Sequence, residues 1–250
     1  MGLTMAGPLC IITGVGDATG SATVRKFISQ GYRVAMIARS ADRLQALADQ
    51  HPGAQAYACD ISDLHTFETC LTRIEAEMGV PRVLVHNAVS HSFGRFRELD
   101  PLEIERNFRV NTTALLVFAR FFADKMAASG GGAILATGNT ASHRGVPNYA
   151  LFAPTKAAQR NLCEALARDL GPEGIHVCYL SVDAAIDVTW LGASDAERPS
   201  WLVPPADWPH AREDFFAHPD GIAAEIYHFT HQHRTTWSFE TTIRPFAEEW

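Results

Sequence analysis

The chain has 250 residues, 47% of them hydrophobic and 20% charged, enough apolar material for one α/β domain with a full core and no disordered part. A formal net charge of −7 argues against a nucleic-acid or anionic-membrane partner. No charged, apolar, small-residue leader and no apolar run of membrane-spanning length is seen, which predicts a cytoplasmic protein. The scattered cysteines, Cys10, Cys59, Cys70, Cys163 and Cys178, lie in apolar contexts and predict buried thiols rather than disulfides or a metal site.

Pro8 to Thr13 is a short apolar run with β-branched residues and reads as a buried strand. A glycine-rich turn, Gly14 to Gly20, leads into a helix from Ser21 to Gln30, closed by Gly31. Arg33 to Ala38 is a second strand, and Ala41 to Gln50 a helix with Leu44, Leu47 and Ala48 on one face. Ala54 to Cys59 is a third strand. Leu64 to Met78 carries Phe67, Leu71 and Ile74 at helical spacing, and Pro81 to His86 is a fourth strand. Then come a long helix from Pro101 to Ala128, a strand from Ala133 to Thr137, a helix from Ala153 to Leu170 and a strand from Ile175 to Leu180. A helix near Gly221 to His231 and a strand near Trp237 to Arg244 close the chain. Alternating strands and helices with short loops, and strands apolar on both faces, predict a doubly wound parallel sheet of about seven strands covered by helices on each side. No linker or internal repeat interrupts residues 1–250, so a single Rossmann domain is expected.

The loop Thr13-Gly-Val-Gly-Asp-Ala-Thr-Gly20 sits between a strand and a helix. Small residues there let the backbone approach a pyrophosphate, and the helix N-terminus offers free N–H groups and the positive end of its dipole. Gly14, Gly16, Ala18 and Gly20 are therefore candidate dinucleotide-binding positions. NAD enzymes place an acidic residue at the end of the second strand; here Ala38-Arg39 stands there, and Arg39 suits a 2′-phosphate. This favours NADP(H) over NAD(H), although Asp17 puts a negative charge close to the phosphates. Asp60, after the third strand, suits the adenine amino group or, alternatively, a cap for the next helix.

These motifs resemble those of the short-chain dehydrogenase/reductase family over most of the chain, from Leu9 to about Thr189. The glycine loop matches Thr-Gly-x-x-x-Gly-x-Gly, with Ala18 at the middle glycine; Asp60 matches the adenine-site aspartate, and the resemblance places Ile61 beside it; Asn87 and Ala88 match the Asn-Asn-Ala-Gly turn that supports the cofactor pocket. Asn111 matches an asparagine that interrupts a helix and holds a relay water, and Lys156 the cofactor lysine. Four residues before that lysine the family has its catalytic tyrosine, and thirteen earlier its serine; those positions hold Phe152 and Asn139, in a register fixed by Gly145-Val-Pro147. Val182-Asp183 stands where the family has Pro-Gly. A divergent branch of the family with phenylalanine for tyrosine is similar to this pattern. The resemblance implies an NAD(P)-dependent oxidoreductase acting on a small carbonyl or alcohol, with Asn111, Asn139, Phe152 and Lys156 at its catalytic positions.

A phenylalanine cannot carry a proton at any pH, and losing a general acid costs about 10²–10⁴ in rate. Binding need not suffer, since Lys156 can still donate to the nicotinamide ribose and the Asn139 amide to a carbonyl oxygen. Tyr149, His143, Asp183 and Asp187 are candidate replacement donors, with Tyr149 foremost. His228, His231 and His233 suggest a metal, but without a cysteine or carboxylate cluster they read as a helix end. The Trp- and Pro-rich stretch in 190–220 falls where the family builds a substrate lid, which suggests an apolar or aromatic ligand. The resemblance also implies a homodimer or homotetramer through the two long helices, where Phe118, Phe121, Phe122 and Leu162 suit either an interface or the chain's own core. Two readings stay open: an NADP-dependent oxidoreductase with a rearranged proton relay, and a non-catalytic NADP(H)-binding protein acting as sensor or assembly subunit.

Overall fold

Strands with no polar face need helices on both sides, and that requirement sets the architecture. A computed structural model describes residues 7–187, 207, 209 and 212–247. The strands β1 (Leu9–Thr13), β2 (Arg33–Ala38), β3 (Ala54–Ala58), β4 (Val83–His86), β5 (Gly132–Gly138), β6 (Ile175–Val182) and β9 (Glu240–Ile243) form one parallel sheet in the order β3-β2-β1-β4-β5-β6-β9. β7 (Ala185–Ile186) and β8 (Phe216–Ala217) make a separate two-stranded pair. The helices are α1 (Thr19–Ser29), α2 (Ala41–Gln50), α3 (Leu64–Met78), α4 (Glu103–Phe108), α5 (Ala114–Ala128), α6 (Ala153–Leu170) and α7 (Pro219–Thr230). Val24 and Phe27 of α1, Leu44 of α2 and Ile226 of α7 pack one sheet face. Phe67 of α3, Phe118 and Phe122 of α5 and Cys163 of α6 pack the other.

The strand order reverses between β1 and β4, so a crevice opens there at the carboxyl ends of the strands, where such sheets take ligands. Local chemistry sets the helix starts around it. Ser40 caps α2 by accepting from the Arg43 N–H, and Asp63 caps α3 by accepting from His65 and Thr66. Asp60 therefore does not cap α3; its carboxylate is held by the Ser62 N–H and hydroxyl instead.

Two expectations change. The helix foreseen from Pro101 to Ala128 is two helices joined by a π-turn, Arg109–Thr113, which puts Asn111 at the break. A π-turn adds one residue to the ladder and needs no glycine or proline, so neither breaker marks it in the sequence. Helix α1 begins at Thr19, two residues early, because the loop's last glycine is already helical. Of the 190–220 lid, 190–206, 208, 210 and 211 lie outside the described residues. Phe118 and Phe122 belong to the core, while Phe121 and Leu162 are partly buried against it. No helix among the described residues is long and apolar enough to cross a membrane.

Candidate active site

The glycine loop is drawn tightly against its neighbours. Gly14 has φ +73°, and a Cβ there would lie 2.4 Å from the Ala88 Cα. A Cβ on Gly20 would meet the Gly14 carbonyl oxygen at 2.6 Å, whereas one on Gly16 would meet nothing within 4 Å. Helix α1 then starts with Ala18 at its cap and no side-chain cap bond. The buried Thr19 Oγ1 has no partner among the described residues. An uncapped helix N-terminus, an orphaned hydroxyl and open space above Gly16 fit a pyrophosphate.

Asn87 ties this loop to the far side of the crevice. Its Nδ2 donates to the Gly14 carbonyl at 2.9 Å, and its Oδ1 accepts from Thr137 Oγ1 at 3.2 Å. Arg39 is exposed at the end of β2 and has no ion pair among the described residues. Asp17 is paired with Arg43 at 3.0 Å, so the charge that stood against a 2′-phosphate is matched by a cation of α2. Burial pushes the Asp60 carboxyl up, but the Ser62 donors, Arg106 and Arg39 outweigh it and hold the group below its ordinary value. Ile61 is buried beside it.

On the other side, Lys156 is buried at 3% exposure. Its Nζ donates to the Thr137 carbonyl at 3.0 Å and to Gln159 Oε1 at 2.7 Å. Burial pushes its amine down to about 7. The Asn111 side chain accepts from the Ser90 N–H at 2.9 Å and donates to the Ser90 carbonyl and to Thr155 Oγ1, both at 2.8 Å. The carbonyl of Asn111, the residue to which the family resemblance assigns a relay water, accepts from Gln159 Nε2 at 2.7 Å. Beneath them lies His86, fully buried. Its Nε2 is 3.0 Å from the Val110 carbonyl, which makes it the protonated nitrogen, and its Nδ1 accepts from Thr13 Oγ1 at 3.1 Å. Burial, then Lys156, pushes it down to about 3, so it stays neutral.

Phe152 caps α6 with its ring 3% exposed and its centroid 6.0 Å from Lys156 Nζ. It sits among rings: Phe93 at 5.2 Å and 81°, Tyr149 at 5.8 Å, and His91 at 6.4 Å and 89°. Asn139 precedes a 3₁₀ turn, and its buried Oδ1 has no partner among the described residues. Beyond the ring layer an open cleft of about 880 Å³ is lined by Tyr149, Ala141 and Ala153, with Arg95, Arg97 and Arg144 also on its wall. Glu98 also lines it, so this cleft is mixed apolar and charged, while most of the 190–220 stretch behind the apolar-ligand expectation lies outside the described residues.

The replacement donors are placed unevenly. Tyr149 tilts onto Phe93 at 4.7 Å, while both Lys156 hydrogen bonds go elsewhere. His143 is taken by Glu240 at 2.6 Å. Asp183 accepts from Thr140 Oγ1 at 2.6 Å and faces Arg244 at 3.5 Å. His231 uses both ring nitrogens, on Tyr32 at 2.8 Å and on the Tyr227 carbonyl at 2.7 Å. Among the described residues no cluster of three or more His, Cys, Asp or Glu could hold a metal. Sequence reasoning missed Gln159, Arg43 and Phe93. Gln159 had a legible signal, a polar residue one turn after Lys156 on the buried face of α6.

A family model described as short chain dehydrogenase matches residues 9–185. The L-xylulose reductase of Homo sapiens is 29% identical over 200 residues, 80% of this chain and 80% of that protein. The D-erythrulose reductase of Gallus gallus is 30% identical over 203 residues, 80% of this chain and 81% of that protein. A solved metagenomic short-chain oxidoreductase in complex with NADP is similar with TM-score 0.79 and 24% identity, over 97% of this chain and 99% of that one.

Proposed function

This chain belongs to the short-chain dehydrogenase family, and on that premise we propose that it binds NADP(H) and exchanges hydride with a small carbonyl or alcohol compound. One observation carries the reading. Gly14, Asn87, Thr137 and Lys156 form a continuous hydrogen-bonded strut from the phosphate loop to the buried lysine. A strut of that kind fixes both ends of a dinucleotide relative to one another, which is what positioning a reacting ring requires.

In this reading Gly14, Gly16, Ala18 and Gly20 cradle the pyrophosphate. Arg39, with Asp17 matched by Arg43, takes the 2′-phosphate and favours NADP(H) over NAD(H). Asp60 and Ile61 hold the adenine side, and Asn87 and Ala88 brace the pocket. The bound cofactor supplies or accepts the hydride. Lys156 donates its remaining N–H to the ribose, since an ammonium has three donors and two are engaged within the protein. The unpartnered Asn139 Oδ1 suits a ligand hydroxyl. The ring of Phe152 forms the wall where the family has its phenol, so the proton comes from another group, with Tyr149 one candidate.

The relatives' names point to small ketoses as the first substrates to try. The test is single-turnover oxidation of NADPH with a panel of ketoses, aldehydes and diketones. Reduction of at least one by the wild-type chain is expected. If none is reduced and Phe152→Tyr restores turnover, the native activity is refuted. The ring layer of Phe93, Tyr149 and Phe152 favours a second reading, a catalytically impaired NADP(H)-binding sensor or assembly subunit. That reading predicts tight NADPH binding with no turnover on the whole panel. A cytoplasmic homodimer or homotetramer is part of both readings. Leu116, 43% exposed on α5, supports a contact on that helix, and light scattering measures it.

A further inference from the structure

Lysine is seldom buried without a carboxylate partner, because its charged form loses hydration that neutral groups restore poorly. Lys156 is such a case. It stands at 3% exposure, and its side-chain partner is the uncharged amide of Gln159, which is fully buried. The two residues lie three apart on one face of α6, where side chains meet. The titratable groups facing Lys156 are His86 from β4 and Cys163 from α6, neither of them a carboxylate.

The amide has its polarity fixed from both ends. Oε1 accepts from Lys156 Nζ at 2.7 Å, and Nε2 donates to the Asn111 carbonyl at 2.7 Å. Turning the amide over would set N–H against ammonium and oxygen against oxygen. Asn111 itself bonds Ser90 and Thr155, so Gln159 adds Lys156 and, through it, the end of β5 to a network that already joins the π-turn, α6 and the loop after β4. An amide passes on orientation but has no titrating site, so no proton can be handed through it at ordinary pH.

We propose that Gln159 is a positioning residue for Lys156, holding its amine toward the end of β5, tying it to the π-turn, and closing with an amide the path from Lys156 to the Asn111 carbonyl. Burial without a counter-ion, which lowers the lysine to about 7, accords with this. The inference rests on the reading of Lys156 as a cofactor-binding residue, but the test below has an arm that needs no cofactor.

The sequence has three lysines, Lys26, Lys125 and Lys156. Lysine ¹³Cε NMR titration of the full cofactor-free chain therefore resolves Lys156, assigned by its loss in Lys156→Met. In Gln159→Glu a carboxylate replaces the amide beside the amine, and the Lys156 midpoint should rise by about 1–3 pH units. In Gln159→Met the amine loses an acceptor, the midpoint should fall, and NADPH should bind about tenfold or more weakly. A residue that merely fills space would lower the melting temperature in both variants and leave the midpoint unmoved. A midpoint in Gln159→Glu equal to that of the wild type overturns the proposal, and because it is read on folded protein by peak dispersion, an unfolded variant is not mistaken for it. If the wild-type chain binds neither NADPH nor NADH, the oxidoreductase reading fails, while the NMR midpoints still decide whether Gln159 positions Lys156.

Discussion

Replacing Lys156 with methionine should change how stability depends on pH, and the structure gives both sign and size. The amine titrates near 10.5 when unfolded and near about 7 when folded. Between those values the unfolded chain binds more protons, so wild-type stability rises with pH there. The penalty of burying the charge is complete below about pH 7 and fades toward pH 10.5. At 1.36 kcal/mol per pH unit the full penalty is about 5 kcal/mol as an upper figure, and about 2 kcal/mol of it is relieved between about pH 7 and 9. Methionine carries no charge and fills similar space, but strips a donor from the Thr137 carbonyl and Gln159 Oε1, at about 1–3 kcal/mol. The variant should therefore be the more stable protein at about pH 6, by about 2–4 kcal/mol, and within about 1 kcal/mol of wild type at about pH 9. Urea denaturation of cofactor-free protein at constant ionic strength measures this, and comparing the two proteins cancels the contribution of the free thiols. A stability difference constant to about 0.5 kcal/mol over that range would refute the argument that Lys156 is buried without a counter-ion.

Phe152→Tyr should raise single-turnover carbonyl reduction by about 10²–10⁴, the usual worth of a general acid; rapid mixing with NADPH measures it, and an unchanged rate would show that the ring layer keeps the new hydroxyl from the substrate. Arg39→Asp should weaken NADPH binding by about tenfold or more while leaving NADH binding within about threefold, since one charged hydrogen-bonded contact of 1.4 kcal/mol is worth a factor of ten; fluorescence titration with both cofactors decides. Gly138→Ala would bring a Cβ to 1.9 Å from the Tyr179 ring, and should lower stability by about 1–3 kcal/mol or more; in a Tyr179→Ala background the same change should cost little, as a double-mutant cycle in urea would show.

The parallel sheet and the helices at 41–50, 64–78 and 153–170 were legible because local chemistry and tertiary packing agree there. Ser40 and Asp63 supply caps, and Leu44, Phe67, Leu71 and Ile74 bury where their spacing says they should. The break at Asn111 was legible through family resemblance; the weak helix formers Val110, Thr112 and Thr113 around it lower helix propensity but do not mark a π-turn. The placing of Asn139 and Phe152 at the family's serine and tyrosine positions rests on counting within the resemblance. Which partner a polar side chain takes was not. The pairing of Asp17 with Arg43 spans a loop and a helix start, and the contact of Gln159 with Asn111 spans 48 residues of sequence. The cluster of Phe93 with Tyr149 and Phe152 joins a loop to a helix start in the same way. Contacts of this kind are fixed by the fold as a whole.

In the proposed reading the site keeps a binding frame and has Phe152 where the family resemblance places a phenol, and that combination narrows where a proton can come from. His86 is held neutral by burial and by Lys156. His143 and Asp183 are engaged with Glu240 and Thr140. Gln159 cannot titrate. The group in the frame that changes charge near neutrality is Lys156 itself, with one N–H not used inside the protein. A proton delivered from Lys156, directly or through one solvent molecule, would use the N–H otherwise given to the ribose and requires the ammonium form, so reduction by the wild-type chain should slow as pH rises through about 7, and Gln159→Glu should carry that fall upward. A donor role for Tyr149 makes the opposite forecast: a rate indifferent to Gln159→Glu and lost in Tyr149→Phe. One profile moves with Gln159→Glu and the other does not, so a pH series on three proteins separates a lysine that binds from one that supplies the proton.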